Sequence, residues 1–245
     1  MRIPLPDIRA RVVERFIFNF RLPPELLQRR LPTGLRPLVL HGSAVASFCI
    51  LDLDDVVFGP IPARLGVRNV NCAHRFGVID ESTGEPAVYV EDRNTDSRLG
   101  SFLSSLGFPG KHAHVEAQIV RDGDAWDITM GAPPDPLFFA RARRATTLRS
   151  VLFPSPERFA QFIAEGVRSY SPAVKPDMLN IVDLHKEDAT YESLEVERVT
   201  DRLLSQWLGG QEPLQIDSAL RTTGGTYHWR YCGQRSREGH VSARE

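Results

Sequence analysis

Apolar and polar side chains alternate along much of this chain, which is the pattern of strands that bury one face. Phe16, Phe18 and Phe20 share one face of the first such strand, expected over residues 11–20. The same pattern predicts further strands over residues 43–53, 68–79, 86–92, 112–121, 125–130, 178–184, 191–199, 214–221 and 226–232. The turn residues at 82–84 predict a hairpin.

Short segments with helical spacing interrupt these strands. Prolines and capping residues predict helices over residues 23–31, 95–106, 155–167 and 200–208. Neither a repeat nor a low-complexity linker divides the chain. The pattern therefore predicts one mostly β domain (α+β) over residues 1–232, a barrel or sandwich with a few short helices, and a polar, frayed tail over residues 233–245.

Composition excludes several classes of protein. The chain has 245 residues, 42% of them hydrophobic, so it can bury a substantial core. Its 30 basic and 31 acidic side chains leave a formal net charge of -1, which does not favour nucleic acid or an anionic membrane as a partner. The arginine-rich run at residues 138–150 is interpreted as a surface or subunit-interface strand or loop.

Lysine and cysteine are both scarce. Lys111, Lys175 and Lys186 are the only lysines, so a reaction that needs an amine nucleophile has few candidates. The odd number of cysteines and the lack of a C-x-x-C pair favour a reducing compartment. The N-terminus is too polar for a signal peptide and no apolar run is long enough to cross a membrane, so we expect a cytoplasmic protein.

Three segments of the chain resemble the acetoacetate decarboxylase superfamily, specifically its DUF2071 branch. FNFRLPPELLQRRLPTGL, residues 18–35, is similar to the family's opening strand, arginine, short helix and LP-x-x-L motif. Residues 72–116 are similar to an arginine-bearing strand, a G-x-P-x-V-Y strand, a short helix and a G-F-P corner, and residues 159–217 match more loosely. The resemblance implies a cone-shaped antiparallel β-barrel with an interior small-molecule cavity, often in oligomers.

The chain departs from the family where the resemblance implies catalytic chemistry. The family's decarboxylases act through a lysine Schiff base. The position that matches this lysine is Gly110, and its neighbouring lysine matches Lys111. Lys111 is the candidate catalytic amine, although strand alternation favours a side chain that points away from the cavity. Ordinary acetoacetate decarboxylase activity is therefore not expected.

Other family positions also differ. A family glutamate falls at Cys49 and a second falls near Asn71. The family arginine that binds the substrate carboxylate falls near Val13, and Arg11 and Arg15 lie two residues to either side on the same face of a regular strand. Substrate-binding candidates are therefore Arg15, Cys49, Asn71 and Gly110.

Two further groups of residues suggest binding chemistry. Arg75 lies inside a strand near the charged residues 91–98, and a pocket for a carboxylate or phosphate would use such an arginine. His112, His114 and Glu116 share one face of the expected strand and form a weak candidate metal site. The alternative for these three is an exposed polar face.

Two functions remain open. The chain is either an enzyme, lyase-like, that acts on a small carboxylate or carbonyl compound, or a non-catalytic ligand-binding or interaction protein on the same scaffold. No cofactor is expected. A small-molecule ligand and a homo-oligomer are expected partners, and nucleic acid and membrane are not.

Overall fold

The computed structural model describes residues 7–59, 62, 65–98, 101, 112–165, 167–175, 177–187, 190–210 and 214–237. The strands in this part of the chain are β1 (Ile8–Leu22), β2 (Leu35–Pro37), β3 (Val39–Leu40), β4 (Ser43–Phe58), β5 (Val67–Asp80), β6 (Pro86–Thr95), β7 (His112–His114), β8 (Ala117–Asp122), β9 (Ala125–Met130), β10 (Phe138–Arg144), β11 (Arg168–Pro172), β12 (Met178–Glu187), β13 (Thr190–Asp201), β14 (Gln215–Thr223) and β15 (Thr226–Ser236). The helices are α1 (Pro24–Gln28), α2 (Pro156–Glu165) and α3 (Arg202–Trp207).

Strand β1 closes a barrel. It pairs with β4 along nearly its whole length and with β15 through its first residues, so β1, β4, β5, β6, β11, β12 and β15 form a ring. The second half of β1 also pairs with β14, from which the sheet continues through β13, β10 and β9 to β8. Strand β6 pairs in parallel with both β7 and β11, so the sheet is antiparallel except at these two pairings.

The two faces of β1 belong to different cores. Phe16, Phe18 and Phe20 point into a large apolar cluster that also contains Trp126 and Phe138 from the outer strands. The opposite face of β1 joins a second cluster, which includes residues of β4, β12 and α2. The alternation predicted for β1 is therefore present, and its second face points toward the barrel interior.

Two of the β-bulges in the barrel determine the faces on which Arg15 and Arg93 lie. An extra residue, Val13, stands in β1 between the pairs Val12–Leu53 and Glu14–Asp52. A second extra residue, Glu91, stands in β6 where the neighbouring pairs are His74–Asp92 and Arg75–Val90. Because a bulge shifts strand alternation by one residue, the side chains that follow it change faces. Arg15 and Arg93 both lie just beyond a bulge.

Several boundaries differ from those expected. The segment 112–121 is two strands, since β7 ends at His114 and β8 begins at Ala117. β15 continues to Ser236, so residues 233–236 belong to a strand and not to the tail. β11 was not expected, and most of the helix expected at 95–106 falls outside the described residues. No described helix combines the length and apolar character needed to cross a membrane.

Candidate functional site

A cavity of about 160 Å³ lies inside the barrel. The inward faces of the ring strands form its walls, and Phe162 and Ile163 of α2 cover part of it. Much of the lining is apolar. Its basic and thiol-bearing side chains are Arg15, Cys49, Cys72, Arg75, Arg93, His112 and Lys186. Among the described residues, no aspartate or glutamate lines the cavity.

Arg15 is a fully buried charge without a carboxylate partner among the described residues. Its Nε donates to Sγ of Cys49 at 3.0 Å and its Nη1 donates to the Tyr227 hydroxyl at 3.2 Å. Burial opposes ionisation of the Cys49 thiol, but the charges of Arg15 and Arg75 outweigh it and lower the pKa of Cys49. The thiol therefore acts as the acceptor for a buried guanidinium.

Arg75 and Arg93 lie on neighbouring strands and face the same cavity. Burial and the charge of Arg75 lower the pKa of Arg93 to about 10. Burial also lowers the pKa of Arg75, and the charge of Arg15 adds to this effect. The Nε atoms of Arg75 and Arg93 are buried, and neither has a hydrogen-bond partner among the described residues.

Lys186 places an amine at the same cavity. Burial, together with the charges of Arg15 and Arg75, lowers its pKa to about 6. A lysine in this environment is mostly neutral at pH 7, and its nitrogen carries a lone pair. Nζ donates a 2.8 Å hydrogen bond to the carbonyl oxygen of Ile163, in the last turn of α2.

The structure brings together most of the side chains that the sequence singled out for substrate binding. Arg15, Cys49, Asn71 and Arg75 all line the cavity. Arg11 does not, because the bulge at Val13 leaves it outside, where it pairs with Asp54 and Asp55. Gly110 and Lys111 lie outside the described residues.

The candidate metal ligands do not come together. His112 lines the cavity, whereas His114 and Glu116 are exposed. The strand ends at His114, so the alternation that would have placed Glu116 beside the two histidines stops before it. Among the described residues, no group of histidine, cysteine, aspartate or glutamate side chains is arranged to hold a metal ion.

Lys186 and Arg93 are basic residues of the cavity that were not selected from the sequence. Lys186 falls beyond the expected end of its strand at residue 184, but β12 continues to Glu187 and keeps Val182, Leu184 and Lys186 on the cavity face. The sequence contained the pattern that would have placed Lys186 on this face, since Val182, Leu184 and Lys186 are alternate residues. Arg93 could not have been found in this way because the bulge at Glu91 reverses the parity of β6.

Comparison with known proteins gives a family and a fold. The model of the family DUF2071, described as an uncharacterized conserved protein, matches residues 9–218. No curated protein matches the chain significantly.

Three solved structures are similar to this one. The enduracididine biosynthesis enzyme MppR, complexed with pyruvate, is 16% identical with a TM-score of 0.62, over 98% of this chain and 93% of its own. Acetoacetate decarboxylase from Legionella pneumophila is 15% identical with a TM-score of 0.64, over 96% and 88%. An acetoacetate decarboxylase-like enzyme from Sphingomonas wittichii is 13% identical with a TM-score of 0.60, over 96% and 94%. The mostly β, acetoacetate decarboxylase-like fold implied by the sequence resemblance is confirmed.

Proposed function

Because the chain belongs to the DUF2071 family, which is described as uncharacterized, we propose a function from the cavity itself. The cavity binds a small carboxylate that also carries a ketone or aldehyde, and the amine of Lys186 attacks that carbonyl. One observation carries the proposal. Three arginines and Lys186 line one cavity in which no described lining residue is acidic.

The arginines supply the carboxylate site. A buried charge is unfavourable unless it is paired, and Arg75 and Arg93 have no acidic partner among the described residues. A guanidinium binds a carboxylate through two parallel hydrogen bonds, which satisfies both the charge and the geometry. The bound carboxylate would therefore reduce the repulsion between Arg75 and Arg93, which the fold places at the same cavity.

Lys186 supplies the nucleophile. Its neutral nitrogen uses its lone pair to form a bond to the carbonyl carbon, while the carbonyl oxygen takes up a proton. Loss of water from this adduct leaves an iminium ion, in which the nitrogen again carries a positive charge. Burial and the charges of Arg15 and Arg75 keep the free amine neutral, and Arg75 would also hold the substrate carboxylate beside it.

The choice of a 2-oxo acid as the probe follows from the fold neighbour that was solved with pyruvate. At 16% identity that similarity shows the fold alone, so pyruvate is a chemical probe here and not an assigned substrate. Its carboxylate could bind an arginine while its adjacent ketone contacts Lys186.

A second function is favoured by the hydrogen bond between Lys186 Nζ and the Ile163 carbonyl oxygen. Carbonyl groups in the last turn of a helix lack a partner within the helix, and a lysine can satisfy one of them. If Lys186 serves only this role, the protein binds carboxylates in the same cavity without reacting with them.

Reductive trapping separates these functions. The purified full chain is incubated with pyruvate and sodium borohydride, which reduces an iminium to a stable secondary amine, and the modified residue is found by peptide mass spectrometry. We expect one adduct, at Lys186, and none in Lys186→Met. Lys175→Met is the matched control, because Lys175 is an exposed lysine outside the cavity.

Other outcomes are equally informative. An adduct at Lys111 would return the reaction to the lysine favoured by the family resemblance. Pyruvate binding by calorimetry without any adduct would support the non-catalytic function. Absence of both binding and adduct would contradict the proposal.

A further inference from the structure

The charges around the cavity do not balance among the described residues. Arg15, Arg75 and Arg93 contribute three guanidinium groups, and guanidinium remains protonated in proteins. None of these arginines has a carboxylate within ion-pair distance among the described residues, in contrast to surface arginines such as Arg141 and Arg143.

Cys49 can offset one of these charges at most. Its Sγ accepts the hydrogen bond from Arg15 Nε, and its position on β4 also exposes it to the field of Arg75 on β5. With Cys49 as a thiolate, the three arginines still leave two positive charges. With Cys49 as a thiol, they leave three.

The other polar groups around Arg15 and Cys49 add no negative charge. Lys186 on β12 is neutral or positive, and the Tyr227 hydroxyl on β15 accepts a hydrogen bond from Arg15 Nη1. His112 on β7 faces the same cavity and is also neutral or positive. The excess of at least two positive charges is therefore a property of the described lining residues taken together.

The unpartnered atoms show where a ligand would complete the site. The Nε atoms of Arg75 and Arg93 are buried donors without acceptors among the described residues. Buried donors are nearly always satisfied, by the protein, by ordered water or by a ligand. Because these two arginines also repel each other, one monoanion would leave at least half of the excess charge in place.

We propose that the cavity selects a small dianion, with a short dicarboxylate as the favoured form, over a monoanion of the same shape. One anionic group would be held at Arg75 and the second at Arg93. The inference rests on the proposed function for the cavity as the ligand site, and it deepens that function by assigning the ligand's charge. It does not require Lys186 to react.

The size of the cavity limits the ligand to a few carbon atoms. A cavity of about 150 Å³ in another protein accommodates a single benzene ring, and the volume here is about 160 Å³. Succinate is therefore a suitable probe. Succinamate has the same shape with one carboxylate replaced by an amide, so the pair isolates the effect of the second charge.

The test is calorimetric titration of the full chain with succinate, succinamate and inorganic phosphate at one pH and one fixed ionic strength. Because succinate offers the arginines a second charged acceptor and succinamate does not, we expect succinate to bind at least about tenfold more tightly than succinamate. Arg93→Gln should remove most of this preference by weakening succinate and leaving succinamate nearly unchanged. Arg36→Gln, at an exposed arginine outside the cavity, should leave the preference intact.

Each outcome decides the inference. Equal affinity for succinate and succinamate would overturn it, as would an unchanged preference in Arg93→Gln. Tighter binding of phosphate than of succinate would support the preference for a dianion and would identify phosphate as the preferred dianion. Arg93→Lys provides a second variant, which should retain part of the preference because it keeps the charge without the planar fork. A pyruvate adduct at Lys186 together with no succinate preference would overturn this inference alone and leave the proposed function standing.

Discussion

The Nε atom of Arg15 lies 3.0 Å from the Sγ atom of Cys49 inside the barrel, so the acceptor of this buried arginine is a thiol and not a carboxylate. A thiol is a weaker acid than a carboxyl group and ionises less completely. The interior therefore keeps an excess of positive charge. Burial and that excess keep Lys186 unprotonated, and the excess leaves Arg75 and Arg93 available to an anion.

A protein that holds unpaired charges for a ligand should be more stable without them. We expect Arg93→Leu to raise the free energy of unfolding of the ligand-free protein by about 1 kcal/mol, because it removes a half-buried cation whose buried Nε has no partner among the described residues. For a chain of this length the melting temperature should rise by roughly 2–4 °C. Differential scanning calorimetry measures both quantities.

Arg36→Leu is the control for this prediction, since it removes an exposed arginine outside the cavity and should change stability little. A marked loss of stability in Arg93→Leu would show that the guanidinium of Arg93 is satisfied in the ligand-free protein. That result would contradict the account of the cavity.

His74 carries a pH-dependent part of the stability. Burial opposes its protonation, but the carboxylates of Asp201 and Asp92 outweigh burial and raise its pKa to about 9. The ordinary value is about 6.5, so the stabilisation is complete below about pH 6.5 and is lost as the pH rises through 9. We expect the contribution of His74 to the free energy of unfolding to fall by a few kcal/mol across this interval.

Urea denaturation between pH 6 and 10 would measure this effect. The difference in unfolding free energy between the unmodified protein and His74→Gln should shrink by this amount as the pH rises, whereas the difference from His185→Gln, which changes an exposed histidine, should stay constant. If His74→Gln showed the same slope as the unmodified protein, the ion pairs of His74 with Asp201 and Asp92 would not be its cause.

Asp80 of β5 and Arg235 of β15 form a buried ion pair away from the cavity lining. Nη1 of Arg235 donates to Oδ2 of Asp80 at 2.8 Å, its guanidinium stacks on the ring of Tyr170, and the Tyr170 hydroxyl also hydrogen-bonds to Asp80. Removing one member of such a pair leaves an uncompensated charge. We expect Arg235→Met to lower the free energy of unfolding by about 3 kcal/mol or more.

The double variant Asp80→Asn with Arg235→Met should recover part of that loss, since neither charge then remains buried. Arg230→Met, at an exposed arginine of the same strand, should have a small effect. Equal losses in Arg235→Met and Arg230→Met by thermal denaturation would contradict the assignment of Asp80 and Arg235 as a buried pair.

Strand alternation predicted the elements that form the barrel but not all of the side chains that enter it. The Phe16, Phe18 and Phe20 face of β1 was correctly predicted because that part of the strand is regular. Regular alternation also places Arg11 and Arg15 on one face, and the bulge at Val13 separates them. A bulge depends on the pairing between strands, which no local pattern in one strand records.

The cavity itself combines strands that lie far apart in sequence. Lys186 of β12 comes within the influence of Arg15 and Arg75 only because β15 links β12 to β1 when the barrel closes. The family resemblance selected Lys111 and missed Lys186 because it compares positions along the chain. The chemistry proposed here depends instead on which side chains face the same cavity.

The pH dependence of pyruvate trapping at Lys186 tests the central claim most directly. Only the neutral amine forms the adduct, and the pKa of Lys186 is lowered to about 6. We predict that the yield of reduced adduct at Lys186, measured by peptide mass spectrometry, rises through a midpoint near pH 6 and is nearly constant above pH 7. No adduct at Lys186, or a midpoint close to the value of about 10.4 for an ordinary lysine, would contradict the account.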